Sequence, residues 1–439
     1  MDNINNYRNK NIGILGLGIS GLAAINILKK LDAKIFAFDD KNEKKLKLPR
    51  HIWVNYKNWP WNNLEVLIVS PGIPINNKNK HQAILLAIKH NVKIINDVDL
   101  FTETKPKARI IGITGTNGKS TTVALLYHIL KYNNIKCEVG GNYGYPACKI
   151  IDPGEDGIII LELSSYQLDG STKLKLDLAA IINITPDHIE YHGSFDNYRL
   201  SKLKILNFLV DEGAIVIDKK NQSLNKLISG KNYKDIRIIK ANTEDYKKII
   251  GNNQSLVGHH NLVNASIAIS LAKNLELSNK NIESSIESFC GLPHRMETIF
   301  YSSKIKIIND SKSTNGDSTA AALRSYNNIF WIVGGKPKID GIGEATHYLN
   351  RVIECFLIGN HTDFFTREIK KYNKSIPLNK CETLENAVSL TIRKALVSSA
   401  KSVVILLSPS AASFDQFESF EDRGNKFKKI VSKNLKEAI

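Results

Sequence analysis

The strongest chemical signal in the sequence is a lysine–serine pair, Lys119 and Ser120, directly after a glycine-rich loop. An apolar run at 110–113 leads into Gly115-Thr116-Asn117-Gly118, and apolar residues recur after the pair at 123, 125, 126, 129 and 130. This order predicts a strand, a loop and a helix, whose backbone N–H groups and positive N-terminus suit a phosphate. Lys119 adds a full charge, and the Ser120 hydroxyl is a ligand for Mg²⁺. The pattern indicates triphosphate binding, although Ile113 stands where the strict P-loop motif has glycine.

A second glycine-rich turn, Gly16-Leu17-Gly18-Ile19-Ser20-Gly21, lies near the N-terminus. A short predicted strand precedes it, a predicted helix follows, and the next strand ends in Asp39-Asp40. This arrangement is typical of a dinucleotide-binding βαβ unit. It specifies a backbone cradle for phosphate rather than nicotinamide, so an NAD dehydrogenase and a protein that binds another nucleotide diphosphate are both open at this point.

Further polar residues follow predicted strands, where the edges of parallel sheets bind ligands. Glu162 follows the strand at 157–161, and a carboxylate beside a P-loop strand can hold Mg²⁺. The strand at 179–184 leads to His188 and His192, whose spacing matches no zinc motif. Polar loops also follow the strands predicted at 306–308, 329–333 and 403–407.

The composition limits the classes of protein that fit. The 439 residues suggest two or three domains, and a hydrophobic content of 42% is ample for their cores. No apolar run approaches the roughly 18 residues of a membrane span, and the chain starts without a secretory signal pattern. The five cysteines are scattered without a CxxC motif, which predicts reduced thiols in the cytoplasm.

The formal net charge of +17 raises the alternative of a P-loop ATPase that acts on nucleic acid. The lysines are spread along the whole chain, and no basic stripe is interleaved with aromatic residues. We therefore expect no nucleic-acid partner, whereas salt-sensitive binding of DNA or RNA would support that alternative.

The alternation of predicted strands and helices indicates an α/β fold with three domains. The charged segment at 97–107 contains a proline and is interpreted as the passage into the second domain, and the pattern breaks again at 291–297. We predict a Rossmann-like N-terminal domain at 1–97, a central P-loop ATPase domain at 98–291 and a Rossmann-like C-terminal domain at 292–439.

Taken together, the motifs resemble the Mur ligases, ATP-dependent amide-forming enzymes of bacterial cell-wall synthesis. The loop at 115–121 has the family's form Gly-Thr-Asn-Gly-Lys-Ser-Thr, which also explains Ile113. Within the family, four segments point to the enzyme that adds D-glutamate to UDP-N-acetylmuramoyl-L-alanine; they lie at 16–21, 291–295, 310–312 and 413–417. Another Mur ligase, or a ligase of the folylpolyglutamate type, is the alternative within the same class.

The resemblance implies an ATP site, two magnesium ions and a carboxylated lysine at position 202. The residues implied to bind ATP are Gly115, Thr116, Asn117, Gly118, Lys119, Ser120, Thr121, Asn261, Asn264, Arg295 and Asp310. The implied metal ligands are Ser120, Glu162, His188 and Lys202, of which the last three are implied to be catalytic together with Lys119. A carbamate on Lys202 would be an anion able to bind Mg²⁺, which an ordinary lysine would repel.

The resemblance also implies the sites of the two other substrates. The residues implied to bind UDP-N-acetylmuramoyl-L-alanine are Ile19, Ser20, Asp40, Lys41, Ser70, Gly72, Asn142 and Ser164. Those implied to bind D-glutamate are Lys312, Thr314, Lys338, Ser413 and Phe420. The implied reaction passes through an acyl phosphate on the L-alanine carboxylate, and we expect a monomeric enzyme of the bacterial cytoplasm.

Overall fold

The structure is a computed structural model that describes residues 6–41, 48–49, 51–76, 80–229, 236–251, 253–338 and 341–438. Within these residues the chain forms three β-sheets, each covered by helices. Its contacts separate it into two compact units, Met1–Ile249 with Val263–Ile286, and Ile250–Leu262 with Glu287–Ile439. The α/β fold class is confirmed, whereas the three domain boundaries stay a prediction.

The first sheet is parallel and has the strand order β2-β1-β3-β4. Its strands are β1 Asn11–Leu15, β2 Lys34–Phe38, β3 Val66–Val69 and β4 Lys93–Ile95, and its helices are α1 Ile19–Lys29, α2 Gln82–Lys89 and α3 Asp97–Thr102. The segment expected to be a passage between domains thus begins with a helix, and its residues 97–101 are buried. The carboxylates at 97 and 99 are hydrogen-bonded inside the protein, and the passage between domains stays a prediction.

The second sheet is also parallel, with the order β10-β9-β8-β5-β7-β6. Its strands are β5 Arg109–Thr114, β6 Cys137–Gly141, β7 Ile158–Glu162, β8 Leu176–Ile181, β9 Leu209–Asp218 and β10 Arg237–Ala241. The helices of this part are α4 Lys119–Tyr132, α5 Ser165–Gly170, α6 Ile189–His192, α7 Phe195–Leu203, α8 Gln222–Ile228, α9 Thr243–Ile250, α10 His259–Asn274 and α11 Asn279–Glu287. The central strands β5, β7 and β8 are almost wholly buried, as expected of a parallel sheet with both faces covered.

The third sheet has the order β11-β12-β16-β13-β14-β15 and is parallel except for its edge strand β11. Its strands are β11 Glu297–Tyr301, β12 Ile305–Asn309, β13 Ile329–Gly334, β14 Val352–Ile358, β15 Leu378–Glu382 and β16 Val403–Leu407. Its helices are α12 Gly316–Ser325, α13 Thr362–Tyr372, α14 Leu384–Val397 and α15 Phe420–Ala438. None of the helices in the described part of the chain combines the length and the apolar character that a bilayer crossing needs.

Candidate functional site

The predicted strand, loop and helix around Lys119 are confirmed, since residues 115–118 connect β5 directly to α4. Gly118 caps α4 in the left-handed region, with φ of +87°. A Cβ atom at this position would lie 2.2 Å from Asn264 Oδ1. Only glycine combines that backbone with so close a neighbour, and the turn therefore brings backbone N–H groups to the start of α4.

The loop is braced by Asn183, just beyond the end of β8. Asn183 Oδ1 accepts hydrogen bonds from the backbone N–H groups of Thr116, at 3.1 Å, and Asn117, at 2.9 Å. Asn183 Nδ2 donates in return to the carbonyl oxygen of Asn117. Because β8 pairs with β5, this amide is well placed to hold the loop in a fixed shape.

Two lysines meet at the base of the same loop. Lys119 Nζ donates to the carbonyl oxygens of Gly115 and Thr116, both at 2.8 Å. Lys202 Nζ also donates to the carbonyl oxygen of Gly115 at 2.8 Å, and its side chain is almost completely buried. Burial, and then the charge of Lys119, holds the pKa of Lys202 well below its usual range. Lys202 consequently gives up its proton far more readily than a surface lysine.

Glu162 ends β7 and points one unpaired oxygen into the protein. Its Oε1 accepts from Asn142 Nδ2 at 2.7 Å, whereas Oε2 is buried without a hydrogen-bond partner in the described chain. A Cβ atom on Gly141 would lie 2.2 Å from the carbonyl oxygen of Glu162, so the two strands approach closely here. A buried carboxylate oxygen without a partner is costly, and a cation would satisfy it.

His188 lies at the start of α6 in the left-handed region, with φ of +52°. Its ring nitrogens lie 3.5 Å from Asp187 Oδ2 and 3.6 Å from Glu190 Oε1. Within the described ranges, no three histidine, cysteine, aspartate or glutamate side chains form a group that could hold a metal ion. The predicted metal site at Ser120, Glu162, His188 and Lys202 stays a prediction.

The N-terminal glycine turn is closed by several tight contacts. Gly16 has φ of +91°, its carbonyl oxygen accepts from Ser70 Oγ at 2.8 Å, and a Cβ atom on Gly21 would lie 2.0 Å from that oxygen. Asp39 Oδ2 accepts from the backbone N–H of Leu17 at 2.6 Å. The acid at the end of β2 thus holds the turn itself.

The other residues predicted at this nucleotide site differ in their surroundings. Ile19 is 79% exposed at the start of α1, whereas the Ser20 hydroxyl donates to Asp97 Oδ2 at 3.0 Å. Asp40 is exposed, and its carboxylate lies 3.3 Å from His81 Nε2. Ser164 caps α5, since its Oγ accepts from the backbone N–H of Gln167 at 3.2 Å. Lys41 and Gly72 lie in the loops that follow β2 and β3 of the first sheet.

In the second unit, the buried carboxylate of Asp310 joins several segments through hydrogen bonds. Its carboxylate accepts from the backbone N–H of Met296 at 3.1 Å, from Ser408 Oγ at 2.9 Å and from Ser313 Oγ. Burial raises the pKa of Asp310 to about 6, and these three hydrogen bonds, and to a smaller extent the charge of Arg295, oppose that rise. The predicted ATP contacts Arg295 and Asp310 are therefore electrostatically coupled in one unit.

Four of the residues predicted to bind D-glutamate, Lys312, Thr314, Lys338 and Ser413, lie on loops at the carboxyl edge of the third sheet, and Phe420 is the first residue of α15. Lys312 Nζ lies 3.8 Å from the centroid of the Phe420 ring. Lys336 and Ala412 exchange two backbone hydrogen bonds, of 2.9 and 3.1 Å, and so join the loop of Lys338 to the loop of Ser413. Thr314 lies between Lys312 and α12. The structure gathers these loops, and the ligand contacts stay a prediction.

Comparison with known proteins decides the family. The family model described as "Mur ligase middle domain" matches residues 113–272, and the model described as "Mur ligase MurD-like, N-terminal domain" matches residues 10–96. The chain is 33% identical to the UDP-N-acetylmuramoylalanine--D-glutamate ligase of Wolbachia pipientis wMel, across 97% of this chain and 96% of that protein. The enzyme of the same name from Rhodopseudomonas palustris strain HaA2 is also 33% identical, across 98% and 97%. This chain belongs to the Mur ligase family.

Solved Mur ligases share the fold. The MurF ligase of Thermotoga maritima, determined in complex with ADP, superposes with a TM-score of 0.58 at 15% identity, over 88% of this chain and 98% of that one. The MurC ligase of the same organism gives a TM-score of 0.56 at 17% identity, over 98% and 100%. Membership in the Mur ligase family replaces the readings as a dehydrogenase or a nucleic-acid ATPase.

Sequence reasoning missed an aromatic cluster in this Mur ligase. Tyr198 OH lies 2.9 Å from Thr116 Oγ1, and Lys202 Nζ lies 4.9 Å from the centroid of the Tyr198 ring. His192 is buried, with its ring nitrogens 3.0 Å from Ser165 Oγ and 3.3 Å from Ser201 Oγ, and burial lowers its pKa. The available signal was spacing, because Tyr198 precedes Lys202 by one helical turn.

Arg423 was also missed as a part of the site. Its guanidinium is fully buried and donates to the oxygens of Ser311, at 3.0 and 2.8 Å, and to the carbonyl oxygen of Ala411 at 3.1 Å. Burial lowers the pKa of Arg423 to about 10. It holds together the loops that carry Lys312 and Ser413. No sequence pattern indicated this role, since arginine is rarely buried.

Proposed function

We propose that this protein joins D-glutamate to UDP-N-acetylmuramoyl-L-alanine with hydrolysis of ATP to ADP and phosphate, in peptidoglycan precursor synthesis. The observation that carries the proposal is the similarity to ligases of that name over nearly the whole length of both chains. The loop at 115–121, with Lys119 at the start of α4, supplies the phosphate site that such a reaction requires.

The chemistry follows from the poor reactivity of a carboxylate. The L-alanine carboxylate takes the γ-phosphoryl group of ATP, which gives an acyl phosphate and ADP. The D-glutamate amine then attacks the carbonyl carbon, the C–N bond forms, phosphate leaves and the amine loses a proton. The groups that meet around ATP are anionic, so positive charge must screen them, and Lys119 with the N-terminus of α4 would do this at the phosphates.

The residues around Glu162 fit magnesium. The unpaired Oε2 of Glu162 is a hard oxygen donor in a buried setting, which Mg²⁺ prefers. Glu162, His188, Ser120 and a carboxylated Lys202 would hold up to two ions. When bound, Mg²⁺ would neutralise charge on the phosphates and on the carboxylate.

The surroundings of Lys202 favour its carboxylation. Carbon dioxide adds to a neutral amine, so a nitrogen–carbon bond forms, one proton leaves and a carbamate anion results. The lowered pKa of Lys202 supplies the neutral amine that this step needs. The carbamate would then turn a cation beside Lys119 into an oxygen ligand for Mg²⁺.

The remaining roles complete the proposal. Lys312 and Lys338 would each face one of the two carboxylates of D-glutamate, with Thr314, Ser413 and Phe420 around them. Asn261, Asn264, Arg295 and Asp310 would contact ATP. The nucleotide substrate would contact Ile19, Ser20, Asp40, Lys41, Ser70, Gly72, Asn142 and Ser164. The cysteines are free thiols, which agrees with the cytoplasm as the proposed location; a monomer stays our expectation.

Phosphate release from ATP tests this function. We expect release only when UDP-N-acetylmuramoyl-L-alanine and D-glutamate are both present, with L-glutamate as the control, and a product heavier than the nucleotide substrate by one glutamyl residue. Lys119→Ala should abolish release, whereas Lys131→Ala, on the last turn of the same helix, should leave it intact. Release without D-glutamate, or with another amino acid only, would assign the protein to another reaction.

A further inference from the structure

Asp97 is a buried carboxylate that is only half paired. Its side chain is 1% exposed, its Oδ2 accepts from Ser20 Oγ at 3.0 Å, and its Oδ1 has no hydrogen-bond partner in the described chain. Burial raises the pKa of Asp97, and the side chains of Ser20 and Gln167 oppose that rise. A buried carboxylate oxygen without a hydrogen bond lowers the stability of the folded protein, so we looked for a functional role of Asp97.

The neighbouring Asn96 extends this contact toward β7. Asn96 Oδ1 caps α3, and its Nδ2 donates to the carbonyl oxygen of Gln167 at 2.8 Å. Gln167 forms the capping box with Ser164, which lies two residues after Glu162. Hydrogen bonds and the peptide bond between Asn96 and Asp97 thus link Ser20, in the first turn of α1, to Gln167 and Ser164, two residues after Glu162.

The Ser20 hydroxyl has one hydrogen, and Asp97 takes it. The backbone N–H groups of the first turn of α1 have no acceptor inside the helix, and they are the groups that suit a phosphate. Ser20 would therefore act on a diphosphate by fixing the turn rather than by donating its own hydrogen.

We propose that Asp97 is a positioning residue, which fixes the Ser20 turn and, together with Asn96, sets that turn relative to Ser164 and Glu162. The inference rests on the proposed function, in which the substrate diphosphate lies at the Ser20 turn and the L-alanine carboxylate lies near Glu162. One substrate molecule would then contact both the Ser20 turn and the region of Glu162. Weakening the contacts of Asp97 and Asn96 would therefore misplace the carboxylate that reacts.

Asp99 provides a matched control on the same helix. It is equally buried, but both of its oxygens are paired, since they accept from the backbone N–H groups of Thr172, at 2.9 and 3.2 Å, and Lys173, at 3.1 Å. These bonds reach the segment after α5 and do not contact the Ser20 turn.

The test compares Asp97→Asn, Asp99→Asn, Ser20→Ala and the double variant Ser20→Ala with Asp97→Asn in the full-length enzyme. Asp97→Asn removes a buried charge and weakens the bond to Ser20, so its melting temperature should be unchanged or higher. Its KM for the nucleotide substrate should rise and its kcat should fall, each by about tenfold, with an unchanged KM for ATP. Asp99→Asn should lower the melting temperature and leave kcat and the KM for the nucleotide substrate unchanged.

Ser20→Ala should resemble Asp97→Asn, and the double variant should be no worse than either single variant. The inference would be overturned if the effects of the two substitutions on KM and kcat multiplied in the double variant. It would also be overturned if Asp97→Asn and Asp99→Asn lost equal activity. In either case an active wild type would still support the proposed function. A wild type that fails to join the two substrates would remove the proposed function, and the inference with it.

Discussion

Lys119 and Lys202 donate to the same carbonyl oxygen, that of Gly115, each over 2.8 Å. Two ammonium groups on one acceptor repel each other, and the buried one is the more easily deprotonated. Burial and the charge of Lys119 accordingly lower the pKa of Lys202. Of these two lysines, Lys202 is therefore the one that loses its proton more readily.

Lys202→Ala should reduce the ligase rate by at least about a hundredfold, because the variant lacks the amine that would carry the carbamate. Formate, a small carboxylate, should restore part of the rate by occupying the vacated space. The measurement is the steady-state rate with and without formate. Lys204→Ala, two residues further along, is the control and should retain most of the rate. Full activity of Lys202→Ala would contradict the carbamate role.

Glu162→Gln tests the proposed cation at the unpaired oxygen. The variant keeps the bond from Asn142 but loses the charge, so its melting temperature without Mg²⁺ should be equal to or above that of the wild type. Mg²⁺ should raise the melting temperature of the wild type and not that of the variant. Calorimetry with and without Mg²⁺ measures this. Glu138→Gln, on β6, should respond to Mg²⁺ as the wild type does, and an equal response of Glu162→Gln would exclude the role.

The local part of the site was predictable, and the long-range part was not. The strand, loop and helix around Lys119 were predictable because apolar periodicity and the glycines act within one short segment. Strand β6 was not predicted, since its sequence Cys-Glu-Val-Gly-Gly is short and weakly apolar, and pairing with β7 stabilises it. The contact of Tyr198 with Thr116 joins residues 82 positions apart, which no local pattern reports.

Asp310 should make stability depend on pH. Its pKa is raised to about 6 in the folded protein, above an ordinary value of 3.8, so between these values the folded state binds more protons than the unfolded state. The contribution of Asp310 to stability is therefore greatest below the lower value and is lost as the pH rises through about 6, by roughly 3 kcal/mol in total.

Asp310→Asn should flatten the decline in melting temperature between about pH 4 and 7, which calorimetry at several pH values measures. Asp211→Asn, at an exposed position on β9, should decline with pH as the wild type does. An unchanged slope for Asp310→Asn would show that another group dominates this range of pH.

Lys312 and Lys338 should govern the affinity for D-glutamate. A substrate with two carboxylates needs two cations, and the two lysines lie on loops that the backbone bonds of Lys336 and the buried Arg423 hold at one sheet edge. Lys312→Met or Lys338→Met should each raise the KM for D-glutamate by at least about tenfold, because a lost charge-assisted bond is worth about 1.5–3 kcal/mol. The KM for ATP should stay within about twofold.

The control is Lys336→Met, which replaces an exposed lysine on the same loop as Lys338 and should change neither KM. If a variant shifts the KM for ATP as strongly as that for D-glutamate, its lysine serves the loops in general, and the amino-acid site must be sought among the other residues of this edge.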